Sequence, residues 1–228
     1  MSKRIWNFNA GPATLPLPVL EKIKKDLPVY NNTGMAVMEL SHRSKDYAEI
    51  HAAAKSLLRE LFNVPENHHI LFLQGGASSQ FFMIPMNLLS EGQTADYIDT
   101  GRWSDKAIAE AERFGNVNIA GSSKEDNYTY IPDLDDLDLN GDARYVHITS
   151  NNTVCGSQFH AFPATGSVPL MADMSSDILS KKIDVSKFGI IYAGAQKNLG
   201  PAGVTVVIVR DDVADQCKED LPTMLKYG

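Results

Sequence analysis

The sequence predicts an α/β fold: a mainly parallel central sheet flanked by helices. Three observations carry the prediction. From Ile70 onward, short apolar runs alternate with turn residues and helical patterns, as strand–loop–helix units do. Ile190–Ala193 and Val204–Val209 are apolar throughout and of strand length, which marks buried strands. The chain has 228 residues, 43% hydrophobic and 21% charged, enough for a large core in an ordinary globular composition.

Taken in order, Asn9-Ala-Gly-Pro-Ala13 is a turn, and Pro18 to Leu27 is a short amphipathic helix closed by Pro28. Met35 to Ser44 is irregular and carries His42 and Arg43 side by side. A helix over Asp46 to Phe62 places Tyr47, Ile50, Ala54, Leu57, Leu58 and Leu61 on one face and ends at Asn63 and Pro65. Ile70–Leu73 is a strand, followed by the turn Gln74–Gln80 and a helix to Leu89. Thr94–Asp99 is the next strand, with a helix over Asp105–Phe114 and a strand over Val117–Ala120. Lys124 to Asp142 is a polar, Asp-rich surface connection. Tyr145–Thr149 and Val168–Ala172 are strands, and Asp212–Glu219 is a final helix.

Composition narrows the function. The net charge of −7 and pI of about 5.3 argue against a nucleic-acid or anionic-membrane surface. No apolar run reaches the ~20 residues of a membrane span, and Met1–Phe8 lacks the apolar core of a signal peptide. Cys155 and Cys217 do not make a disulfide framework. The expected location is the cytoplasm. His68-His69 lack partners at ligand spacing, so no metal site is expected.

In open parallel sheets ligands sit beyond the carboxyl ends of the strands. There the chain offers Ala77 and Ser78 after Gly75-Gly76, then Trp103, Thr153, Asp173 and the pair Gln196-Lys197. Lys197 is the one residue of the stretch Phe188–Val209 that is charged at neutral pH. Desolvation disfavours an ammonium, and a depressed pKa makes a Lys nucleophilic toward a carbonyl. The competing reading is a Lys that snorkels out of a turn. Each of the others also has an ordinary reading: a tight turn at Gly75-Gly76, a core Trp, a turn Thr, and a helix cap at Asp173.

One ligand unites them. Helix-start N–H groups at Ala77 and Ser78 suit a phosphate, Trp103 a planar ring, Thr153 a ring hydroxyl, Asp173 a protonated ring nitrogen and Lys197 an aldehyde. That ligand is pyridoxal 5'-phosphate. A phosphate loop of the Gly-Lys-Ser/Thr kind is excluded because Lys197 follows Gln196 and precedes Asn198. No Gly-x-Gly-x-x-Gly follows a strand, which argues against a nicotinamide cofactor.

Seven segments together resemble the phosphoserine aminotransferase family: Asn7–Ala13, Met38–Arg43, Leu73–Gly76, Ala95–Tyr97, Thr100–Trp103, Ala172–Ser176 and above all Ile191–Gly203. The resemblance covers essentially the whole chain. It implies a fold-type I, class-V-like transaminase that exchanges an amino group between glutamate and 3-phosphohydroxypyruvate. The products are 2-oxoglutarate and phosphoserine, in serine biosynthesis, with phosphorylated hydroxythreonine of vitamin B6 synthesis as a further substrate in some members. It implies that Lys197 forms the Schiff base and moves the α-proton, and that Asp173, Trp103 and Thr153 hold the ring. Ala77, Ser78 and Gln196 would hold the phosphate, Arg43 a substrate carboxylate, with His42 close by. A homodimer is implied as well. The chain departs from the family at Ala77-Ser78, where Gly or a basic residue is common, and at Asn152, where Glu is common.

Family members run on well past Gly228. The expected organisation is therefore an N-terminal arm over residues 1–15 and a cofactor-binding large domain over 16–228, with the C-terminal small domain outside this sequence. Two alternatives stand beside the enzyme reading: a catalytically impaired large domain, or another fold-type I enzyme such as a cysteine desulfurase or a serine–glyoxylate type aminotransferase.

Overall fold

A computed structural model describes residues 4–228; the first three residues of the expected N-terminal arm lie outside the described residues. Helix α1 spans Leu17–Asp26 and α2 Lys45–Phe62. Strand β1 (His68–Leu73) leads into α3 (Gly76–Leu88), β2 (Thr94–Asp99) into α4 (Arg102–Ala111), and β3 is Asn116–Ser122. Strand β4 (Val146–Thr149) is followed by the paired β5 (Asn151–Asn152) and β6 (Ser157–Gln158). Then come β7 (Leu170–Asp173), β8 (Phe188–Gly194), β9 (Thr205–Arg210) and α5 (Asp211–Ala214).

Seven strands form one sheet in the order β1-β9-β8-β7-β4-β2-β3. Every neighbouring pair is parallel except the two that involve β9, which runs against both β1 and β8. The expected α/β class with a mainly parallel sheet is the one observed. Because side chains alternate across a strand, the sheet separates two cores. Ile98, Ile148, Ala172, Ile191 and Ile208 pack on one face with Leu58 and Phe62 of α2. Tyr97, Met171, Ile190, Tyr192 and Val207 pack on the other with α3, α4 and Val213 of α5.

Three helices depart from expectation, and β7 runs Leu170–Asp173 rather than Val168–Ala172. Helix α2 buries Leu58 and Phe62 and leaves Leu57 and Leu61 exposed, at 56% and 66%. The sequence carries two apolar rows at i, i+4 spacing, and the sheet uses one of them. Helix α4 begins three residues before the expected Asp105. Ser104 Oγ accepts the N–H groups of Thr100 (3.0 Å) and Gly101 (2.9 Å), closing the helix start early. Helix α5 stops at Ala214, short of the expected Glu219. Beyond it the chain is captured by α3: Lys218 N–H donates to Asn87 O, Asn87 Nδ2 to Leu225 O, and the Tyr227 hydroxyl to Gln80 Oε1.

A polar thread runs through the second core. Tyr97 and Tyr145 share a hydroxyl hydrogen bond of 2.9 Å, the His147 ring stacks on Tyr97, and His147 Nε2 meets the Tyr192 hydroxyl at 2.9 Å. His147 Nδ1 is buried without a partner. Burial pushes this imidazole from its ordinary value to about 3. The folded chain therefore binds fewer protons than the unfolded chain between pH 6.5 and about 3. Stability from His147 is complete above its unfolded pKa and is lost as pH falls through that window, with a limiting slope of about 1.4 kcal/mol per pH unit. Buried His68 acts in the same direction, while Asp96 and Asp173, raised by burial, act in the opposite one. The readout is thus the difference curve. Urea unfolding of His147→Gln is expected to show a flatter acid limb than wild type, and superimposable limbs would refute the assignment.

Among the described residues, no helix is long and apolar enough to cross a membrane. No three His, Cys, Asp or Glu residues there gather as metal ligands.

Candidate active site

Four parallel strands end beside one another along the middle of the sheet, and Thr149 and Asp173 at the ends of β4 and β7, with turns and helix starts beyond the strands, line a cleft of about 140 Å³. That is the order of volume that encloses a six-membered ring. Ala77, Ser78, Trp103, Asp173, Gln196 and Lys197 line it, together with Gly76, Phe81, Thr149, Asn151, Ser175 and Ser176.

Asp173 ends β7 and is 5% exposed. Its Oδ1 accepts the Ser175 N–H at 2.9 Å, so it caps the following turn as well as lining the cleft. Burial raises its pKa, while the Ser175 hydrogen bonds and then Lys197 pull it down. Lys197 sits in the turn after β8, half-buried. That turn is pinned by Ala195 N–H to Val204 O (2.9 Å), Gly194 N–H to Ser175 Oγ (3.0 Å) and Ala13 N–H to Gln196 O (2.8 Å). The last bond brings the N-terminal Asn9–Ala13 turn to the site. Burial lowers the pKa of Lys197, against the smaller opposing pull of Asp173. Its Nζ donates to Thr153 Oγ1 at 2.9 Å and lies 5.6 Å from the Trp103 ring centroid. Lys197 does not simply snorkel into solvent.

Thr153 joins the cluster from the turn of the β5–β6 hairpin, which sequence reasoning did not anticipate. Its Oγ1 also accepts from Trp103 Nε1 at 3.4 Å. Asn152 fastens the hairpin to the start of α4: its Oδ1 accepts the Trp103 N–H and its Nδ2 donates to Thr100 Oγ1, both at 3.0 Å. Gly101, at φ +152°, is required there, because a Cβ would stand 2.7 Å from the Asn152 side chain.

At the opposite wall α3 starts at Gly76, with Gly75 in the left-handed region at φ +91°. A Cβ on Gly75 would collide with Ser79 Oγ. Gly76, Ala77 and Ser78 lie in the first turn of the helix, where N–H groups have no intrahelical acceptor and the dipole favours an anion.

His42 and Arg43 stand apart from this group. Both are exposed in the turn before α2, and neither lines the cleft. The residues that sequence reasoning missed are Phe81, Thr149, Asn151, Ser175 and Ser176. Ser175 and Ser176 follow Asp173 directly, so reading two residues further past β7 would have included them. Thr149 Oγ1 is buried without a hydrogen-bond partner. Such a hydroxyl costs about 1–3 kcal/mol.

The aminotransferase class-V family model matches residues 5–223. The chain belongs to the class-V aminotransferases. The phosphoserine aminotransferase of Geobacillus kaustophilus is 61% identical over 225 residues, covering 99% of this chain and 62% of that protein. The solved phosphoserine aminotransferase from Bacillus circulans subsp. alkalophilus superimposes with a TM-score of 0.96 at 54% identity, over 99% of this chain and 63% of that one. The pyridoxal phosphate-bound phosphoserine aminotransferase from Trichomonas vaginalis gives a TM-score of 0.91 at 41% identity, over 98% and 63%. This class-V chain spans about 62% of the length of the curated relatives it matches.

Proposed function

We propose that the chain is the cofactor-binding large domain, over residues 16–228 with an arm over 1–15, of a pyridoxal phosphate-dependent phosphoserine aminotransferase. The protein would work in the cytoplasm as a homodimer, transferring the amino group of glutamate to 3-phosphohydroxypyruvate in serine biosynthesis. A C-terminal small domain completes it in this reading. The observation that carries the proposal is the convergence, in one cleft, of a half-buried Lys of lowered pKa and a buried carboxylate.

The residues present fit the cofactor. Asp173 offers a negative charge within a water-poor wall, and Trp103 a flat apolar face. The start of α3 offers a dipole and free N–H groups to a phosphate, and Thr149 Oγ1 is an uncommitted buried hydroxyl. When bound, pyridoxal phosphate supplies an electron sink for the bond to the departing α-proton. The chain's own residues do the rest. Asp173 would keep a proton on the ring nitrogen by its charge. Lys197 Nζ would hold the cofactor through its aldehyde and would serve as the base that takes and returns the α-proton. Thr153 Oγ1, already bonded to Lys197 Nζ, sets the direction from which that amine approaches. Arg43 would take a substrate carboxylate, the bidentate task a guanidinium suits, with His42 beside it, but in this chain both lie outside the cleft and would have to be brought to it.

The test is a coupled assay. The protein with that C-terminal domain in place, loaded with pyridoxal phosphate, is expected to form 2-oxoglutarate from glutamate and 3-phosphohydroxypyruvate. Pyruvate as acceptor should give a rate lower by at least about tenfold, since it lacks the phosphate the site is meant to pair. No 2-oxoglutarate, or equal rates with pyruvate, would overturn the assignment.

A further inference from the structure

The uncommitted hydroxyl of Thr149 is specifically placed. Thr149 ends β4 and pairs in parallel register with Asp173 at the end of β7. Registered residues of parallel neighbours project to the same face, on strands about 4.8 Å apart. Thr149 is 2% exposed, and it shares that face with apolar or aromatic side chains such as Met171, Tyr192 and Val207. A Val of the same shape would pack there without leaving a hydroxyl unsatisfied. Of the five residues with a buried, unpartnered side-chain atom among the described residues, Thr149 is the one that lines the cleft. Beside it, the hydrogen bonds to the Asp173 carboxylate come from Ser175. An ionised carboxylate has about four acceptor positions. It therefore keeps room for another donor.

We propose that Thr149 is a positioning residue: turned about χ1, its hydroxyl donates to the Asp173 carboxylate in the loaded site and keeps that carboxylate ionised and aimed at the cofactor ring. The proposal rests on the reading that the cleft takes pyridoxal phosphate. Ser150, the next residue, is already committed, donating to Asp173 O at 2.9 Å and to Asp177 Oδ1. Thr149 is the polar side chain left over for the carboxylate itself.

The experiment is a titration of the 228-residue chain with pyridoxal phosphate, followed by absorbance, beside thermal unfolding of the cofactor-free chain. Thr149→Val is expected to weaken cofactor binding about tenfold while leaving the cofactor-free chain at least as heat-stable as wild type. Thr149→Ser, which keeps the donor, is expected to restore wild-type affinity. In an Asp173→Asn background, Thr149→Val should add no further loss, because the ionised carboxylate that the hydroxyl serves is gone. Wild-type affinity in Thr149→Val, loss of affinity in Thr149→Ser, or an additive loss beside Asp173→Asn would each overturn the proposal. Failure of the wild-type chain to bind pyridoxal phosphate would sink the functional reading, and this inference with it. Equal binding by wild type and Thr149→Val would sink this inference alone.

Discussion

Asp173→Asn is expected to weaken pyridoxal phosphate binding about 10- to 100-fold and to leave the cofactor-free chain folded. The amide has the size and shape of the carboxylate but no charge. A hydrogen bond to a charged group contributes about 1.5–3 kcal/mol, which sets the size of the loss. The cofactor-free protein responds in the opposite direction. Burial penalises the ionised carboxylate, so a neutral amide relieves that penalty, and the Ser175 N–H still finds an acceptor in the amide oxygen. Amino transfer should fall further than binding, since an uncharged partner no longer holds the ring nitrogen protonated. The measurements are a cofactor titration and a thermal melt on the same preparation. Unchanged affinity would remove Asp173 from the cofactor site and return it to a helix-cap role.

Lys197→Ala is expected to abolish covalent capture of pyridoxal phosphate, leaving weaker, non-covalent binding through Asp173 and the start of α3. The fold should survive, because Lys197 lies in a turn and its side-chain amine bonds only to Thr153 among the described residues. The turn itself is held by main-chain bonds from Ala195 and Gln196, which the substitution does not touch. Absorbance should change from the Schiff-base band to that of the free aldehyde, and borohydride should leave no pyridoxyl label, while the melting curve stays in place. A variant that keeps the Schiff-base band and takes the label would show that another amine is the nucleophile.

What the sequence made legible was the set of strand ends. Apolar runs such as Ile190–Ala193 stop at Gly or Asp, and the parallel-sheet rule locates ligands just beyond them. Lys197, Asp173, Trp103, Ala77 and Ser78 were found in that way. The parts that escaped depend on side chains reaching across long stretches of chain. Ser104 closes α4 by bonding back to Asp99, Thr100 and Gly101, and a helix pattern by itself places the start later, at Asp105. Asn152 holds Trp103 from 49 residues away, a pairing no local pattern contains. The hairpin that delivers Thr153 has strands of two residues each, too short for any periodicity to register. Helix α2 shows a different gap: both of its apolar rows look equally suited to burial, and only packing against the sheet selects Leu58 and Phe62. Thr149 reads as an ordinary strand Thr until its hydroxyl is seen to be buried without a partner.

Lys197 is the amine proposed to capture the cofactor. The most direct measurement is borohydride reduction of the 228-residue chain loaded with pyridoxal phosphate, followed by peptide mapping of the reduced label. The account predicts a single pyridoxyl group on the peptide that carries Lys197, because burial makes this amine less protonated than a surface lysine. A label spread over surface lysines, or no label at all, would contradict it.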